Sequence, residues 1–353
     1  VPRWAGPPPL LVAATVLGIL VAPAVSSADD APPAAERGVL ASVTPGSSTE
    51  PTESTESTEL PTPADDELPT RIGAEPQPEP PSEPEPAPGP EPRPIGVATF
   101  NQYVGSSPDD ALADALALTS RPGVSIVGWQ EGYTFGPVYQ ALAERGWATK
   151  RYVGARGMRE LAVSWRRDEF ALESSAVHRL ADGVGAYDGL FPFNSRYGLR
   201  VTLRDRASGE RISVINTHLP QRIEDLDRPG TWRTTKNAQR AFRQLERLAR
   251  IWRKAPGRWV VGTGDYNIAA LADMRARNRG GLSRAYDDVA RSTYAVLGFD
   301  GLEPTHPFSR RYIDYVHVAQ PALRDGRIEL LGHRTPENLT SDHLPLVAQM
   351  RLS

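Results

Sequence analysis

From Pro94 onward the chain repeatedly builds a short apolar run and ends it on a polar side chain. "IGVATFNQYV" closes on Asn101, "VSIVGWQEG" on Gln130 and Glu131, "RISVINTHL" on His218, and "RWVVGTGDYN" on Asp265 and Asn267, while "RYIDYVHVA" carries Asp314 at its mouth. Short β-branched apolar runs bounded by turn residues read as buried strands. Helical stretches lie between them. Ser107 as N-cap, Pro108 in the first turn and two following acids start a helix that ends near Thr119. A second helix is expected from Pro137 to Arg145. "TTKNAQRAFRQLERLARIWRK" sets Ala238, Phe242, Leu245, Leu248, Ile251 and Trp252 at helical spacing, with a basic opposite face read as solvated. "ELAVSWRRDEF" reads as a strand running into a turn, and "YGLRVTLRDRASGERISVINTHLP" as a hairpin turning at residues 207–210. "GVGAYDG" follows no strand signal and is read as loop. Interleaved strands and helices predict an α/β domain. Strand tips are where such proteins assemble sites, and Asp342-His343 stands just before the last run, "LPLVAQMRL". No internal repeat is evident.

The chain before Pro94 has another texture. Residues 1–28 hold one arginine, an apolar run from Leu10 and small residues at Ser26 and Ala28, the pattern of a cleaved export signal or, if uncleaved, an envelope anchor. Residues 29–94 are rich in Pro, Glu, Ser and Thr and bury too little apolar area to order a chain, so a disordered linker is expected there. That linker holds 15 acids against three arginines, and Arg3 is the only charge before it. With the whole chain at −3, residues 95–353 therefore carry +8. A basic domain of this size suits an anionic partner.

Several chemistries are excluded or disfavoured. The sequence has no cysteine, which removes disulfides, thiolate ligands and thiol catalysis. It contains no G-x-S-x-G, no H-E-x-x-H and no phosphate loop of the G-x-x-x-x-G-K type. A triad using Ser341 would have its acid and imidazole as immediate neighbours, which is poor geometry for a relay.

"TFNQY", "GWQEG", "INTHLP", "GTGDYN", "YIDYV" and "TSDHLPL", in this order, resemble the motifs of the endonuclease/exonuclease/phosphatase superfamily, over residues 95–353. The resemblance implies two packed mixed β-sheets flanked by helices, a four-layer sandwich like that of pancreatic deoxyribonuclease. It implies a hydrolase that cleaves a phosphoester by metal-assisted attack of water, and the N-terminal signal pattern makes a secreted one the expectation. Glu131 with Asn101 would hold Mg²⁺ or Mn²⁺, and Asp342 would lie by the metal or its waters. Asp265 and Asn267, two apart on an extended run, leave the same face; by resemblance Asp265 orients the attacking water and Asn267 binds phosphate. His343 would contact the scissile phosphate with Asp314 as its carboxylate partner. His218 would be a second phosphate contact or proton donor. Arg196 is the match to a phosphate-side arginine. His178, His306, His317 and His333 fall in no motif, and Glu160 and Trp165, which flank "LAVSW", receive no role.

Nucleic acid is the favoured substrate, because the domain is basic and Arg275, Arg277, Arg279 and Arg284 follow the G-D-Y-N motif. A phosphomonoesterase or a sphingomyelinase-type phospholipase would use the same core; the latter needs an exposed aromatic, for which Trp232 is the nearest candidate. A stalk-borne binding module without catalysis is the non-enzymatic alternative. A monomer is expected, with possible cell-envelope association through the N-terminal segment.

Overall fold

The computed structural model describes residues 93–133, 136–187, 191–228, 231–271 and 288–353. The expected signal, nearly all of the expected linker, and the arginine run at 275–284 lie outside these residues.

Pro94–Asn101 forms β1, Pro108–Thr119 α1, Val124–Gln130 β2, Gly136–Glu144 α2 and Trp147–Arg151 β3. Arg156–Arg159 forms the short α3, followed by Ala162–Arg166 (β4), Phe170–Ala181 (β5), Val184–Tyr187 (β6) and Phe191–Phe193 (β7). Arg196–Asp205 (β8) and Arg211–His218 (β9) make the expected hairpin, and Lys236–Arg253 the long α4. Trp259–Asp265 (β10), Ala290–Ser292 (β11), Thr293–Leu297 (α5), Asp314–Ala319 (β12), Gln320–Arg324 (α6), Ile328–Arg334 (β13) and Leu346–Leu352 (β14) complete the domain.

The strands form two six-stranded sheets, ordered β13-β14-β1-β2-β4-β3 and β11-β12-β10-β9-β8-β5, with β6 and β7 as a separate pair. Each large sheet has one central parallel pair, β1 with β2 and β9 with β10, crossed by α1 and α4 respectively, with antiparallel neighbours on both sides. The two sheets thus repeat one topology although the sequence shows no repeat. The N-cap of α1 is Ser107, which accepts from Asp110 N as expected. The Gly183–Gly189 run read as loop instead contains β6.

Side chains alternate across each strand, and the alternation sorts the core into layers. On β1, Ala98 and Phe100 face α1 and α2 in an outer cluster with Leu118, Trp129 and Leu142. Ile95 and Val97 face the other sheet, in the inner cluster that also holds Val214 and Val261, while α4 covers that second sheet from its far side, where Leu248 and Trp252 meet Gly198 and Gly262. Along that inner face each strand passes from apolar to polar toward its tip. After the aliphatic layer comes a buried polar one. Asn216 donates to the carbonyls of Trp129 and Ala162 (2.8 and 3.0 Å) and accepts from Gln130 Nε2 (2.7 Å) and Thr263 Oγ1 (3.1 Å), so it ties the sheets together. The sheets approach so closely here that a Cβ on Gly128 would lie 1.9 Å from Thr263 Oγ1. One step further along the same faces stand Asn101, His218 and Asp265.

Candidate active site

Asp265, 2% exposed, is the centre of this last layer. Its Oδ2 accepts from Asn101 Nδ2 (3.2 Å) and Asn267 Nδ2 (3.1 Å), and lies 3.4 Å from His218 Nε2 and 3.9 Å from His343 Nε2. Its Oδ1 accepts from the backbone of Asn267 (2.8 Å), which adopts a left-handed φ of 54°. That turn folds the amide back beside its own strand, where it also donates to Leu219 O at 3.0 Å. One carboxylate therefore gathers side chains from β1, β9, β10 and the loop before β14.

The two imidazoles are oriented by separate acids. His343 Nδ1 lies 2.8 Å from Asp314 Oδ2 at the mouth of β12, opposite Asp265 in register. Burial works against charge on His343, but Asp314, Asp265 and Asp342 lift its pKa to about 10. Burial pushes Asp314 up to about 6 while the imidazole pulls it down; the pair shares one proton, which sits on His343 at neutral pH. His218 Nδ1 lies 3.2 Å from Glu160 Oε2. Glu160 also accepts from Arg196 Nη1 and Tyr133 OH, both at 2.7 Å. Burial would raise the Glu160 carboxyl, but Arg196 and His218 outweigh it and hold it at about 2. Burial and Arg196 disfavour the His218 cation, yet Glu160 and Asp265 more than compensate and raise its pKa.

Every residue expected at the site is brought to it, but Arg196 occupies a different place from the one expected. It is buried behind His218, 3.5 Å from the ring, and ion-paired with Glu160, so it braces the imidazole instead of lining the cleft. Asp342 and His343 lie in the loop ahead of β14. Glu160, which had no assigned role, is the partner of His218, and Tyr133 orders it; no local pattern around "RELAV" signals this. Trp232, the lipid-anchor candidate, is half-buried with its ring edge-on to Phe242, 6.0 Å between centroids, and so is no exposed anchor.

These groups open on a cleft of about 570 Å³ lined by Glu131 and Asp342, with Arg222, Arg233 and Arg311 around it. Glu131 sits at a left-handed φ of 58° and accepts from Val104 N (2.8 Å) and Asn101 Nδ2 (3.3 Å). Such a conformation is unusual for glutamate and aims the carboxylate into the cleft. The donor set fits a hard divalent cation. Oxygen donors of Glu131 and Asp342 face one space, and Asp342 Oδ1 is buried with no hydrogen-bond partner among the described residues.

His306 was set aside in the sequence but lines the same cleft. Its ring lies edge-on to His343, with 4.9 Å between centroids. Ser309 N donates to its Nδ1 at 3.2 Å. Since Nδ1 accepts, the neutral ring carries its proton on Nε2. Thr305 stands beside it and accepts from Ile313 N and Asp314 N, fixing the loop against β12.

No family model and no curated protein matches the sequence. Solved structures do. An endonuclease/exonuclease/phosphatase protein from Bacteroides vulgatus aligns with 74% of this chain and 100% of its own, at 18% identity and a TM-score of 0.53. The chain has the endonuclease/exonuclease/phosphatase fold. D. rerio TDP2 in complex with a single-strand DNA product shares this fold at 15% identity, covering 73% of this chain and 98% of that one (TM-score 0.51). So does a mannosyl-6-phosphatase from Bacteroides thetaiotaomicron, at 15% identity over 72% and 99% of the two chains (TM-score 0.50).

Proposed function

We propose that this chain is a divalent-metal-dependent phosphoester hydrolase acting on nucleic acid phosphodiesters. The observation that carries the reading is the single buried carboxylate of Asp265, shared by two amides and two imidazoles at the floor of an open cleft. Phosphoryl transfer needs a positioned water and donors for charge on the phosphate oxygens. Asp265 is placed to orient the water and accept its proton. Asn267 and His218 are donors for a non-bridging oxygen. His343, cationic beside Asp314, pairs with the phosphate, and its charge is kept by that acid. Asn101, Glu131 and Asp342 would hold Mg²⁺ or Mn²⁺, which when bound neutralises phosphate charge and polarises the phosphorus centre. A diester is favoured over a monoester because the cleft is open, with Arg222 and Arg233 in its lining, and the domain is basic. Residues 1–28 as an export signal and 29–94 as a stalk would set this activity outside the cytosol.

The purified protein is to be incubated with plasmid DNA, RNA, sphingomyelin and a phosphomonoester, with Mg²⁺, Mn²⁺ or EDTA, beside Glu131→Ala. Metal-dependent loss of nucleic acid, abolished by EDTA and by the substitution, is expected. Hydrolysis confined to the monoester or the lipid would overturn the nucleic acid assignment, and turnover indifferent to EDTA would remove the metal.

A further inference from the structure

A second concavity lies beside the cleft and takes no part in the chemistry above. It is a groove of about 300 Å³ between α4 and the end of β5, floored by Leu180 and Ala181. Lys236, Arg240, Arg243 and Arg247 line it. Their spacing of 4, 3 and 4 residues puts all four cations on one stripe of the helix, opposite the face made by Ala241, Leu245 and Leu248. Among the groove's residues only Asp182 opposes them. Arg240 and Arg247 reach across to the carbonyls of Gly183 and Leu180, which sets their guanidinium groups over the groove but neutralises neither. Arg240 is near enough to Asp182 to be attracted by it and near enough to Arg243 to be repelled. Four cations lining one groove against a single acid are more than a helix needs to stay wet.

Its position is fixed by the strands that build the site. Ala181 in the groove floor pairs with Arg196, and Arg196 touches His218. Arg233, on the wall of the cleft, precedes Lys236 by three residues, with the α4 N-cap Thr235 between. The cations of the cleft rim therefore continue into the stripe on α4. From Lys236 to Arg247 the helix rises about 16 Å at ~1.5 Å per residue. At ~3.4 Å per nucleotide, the spacing along one strand of stacked B-form DNA, that is the length of about five nucleotides.

We infer that this groove carries the phosphates flanking the scissile one on a single nucleic acid strand, so that the protein is built for a polymer and not for a short diester. The inference rests on the hydrolase reading but makes a separate demand on the molecule. Backbone phosphates would lie against Lys236, Arg240, Arg243 and Arg247, and sequence would not be read there.

The test uses the full chain. Binding of a fluorescein-labelled oligonucleotide of about twelve residues, in the range of single-strand site sizes, is followed by anisotropy in the Asp265→Asn background between about 50 and 200 mM salt. Arg240→Gln with Arg243→Gln is compared with Arg145→Gln with Arg324→Gln, which removes equal charge elsewhere. The groove pair is expected to weaken binding about tenfold or more and to lower the slope of log K against log salt by about 1.4, at ~0.7 per phosphate contact on a single strand. With Asp265 restored, the ratio of kcat/KM for the oligonucleotide to that for bis(p-nitrophenyl) phosphate is expected to fall by a similar factor. An unaltered slope and ratio, or an equal loss in the control pair, would overturn the groove. Slope loss in a protein that hydrolyses no nucleic acid would support the groove and sink the hydrolase reading instead.

Discussion

Glu160 shows how much of the site's behaviour is set by a side chain that touches no substrate. Replacing it with Gln removes the acid that most favours the His218 cation, leaving Arg196 beside a ring whose ionisation it opposes. A fall in kcat of about 10²-fold is expected, the lower range for a proton-handling group. The basic limb of the pH–rate profile should also move to lower pH, since the raised pKa of His218 loses its support. A profile unmoved by the substitution would mean that His218 does not titrate in turnover. Asp265→Asn should cost about 10³-fold or more in kcat with the fold intact by circular dichroism. His306 permits a prediction free of activity: ¹⁵N–¹H correlation should find its proton on Nε2 and an acceptor Nδ1 facing Ser309. A proton on Nδ1 would discard that arrangement. The residues legible in the sequence were those whose chemistry coincides with a strand tip. Glu160 and His306 were illegible because each acts through a partner more than thirty residues away, and no local pattern records such a meeting.

At the level of strands and helices, the layering of the inner faces makes Asn216 a joint between the sheets. Asn216→Ala would strand the Gln130 and Thr263 donors and the Trp129 and Ala162 carbonyls in a dry interface. A loss of about 2–4 kcal/mol is expected in urea unfolding, with the slope m unchanged. Leu at this position should fare no better, since the space is bounded by polar atoms. The same strands explain what could be read in advance. β1, β2, β9 and β10 are buried along nearly their whole length, so their apolar runs are continuous and easily seen. β5 escaped notice because it is an edge strand buried only near its ends; "FALESSAVHRLA" has no core face to impose an alternation. The doubled topology escaped for a related reason. Packing fixes which positions are apolar, but leaves open which apolar residue stands there.

For the molecule as a whole, acid stability should carry the mark of Glu160. Its pKa is about 2 when folded against an ordinary 4.5, so its contribution is fully present above about 4.5 and is lost as pH falls toward 2. The Tm difference between the parent and Glu160→Gln is accordingly expected to shrink over that window; a difference constant with pH would contradict the burial and pairing described. The direction of β1 bears on deployment. The chain enters the domain at Arg93, clasped by Glu169 and Asp205, and β1 then runs to Asn101 in the cleft. Eight residues at ~3.3 Å span about 25 Å. Arg93 and Pro94, with Arg351 paired to Pro94, thus lie one strand length away from Asn101. A support joined at that end of β1 would leave the cleft at its other end open to solvent.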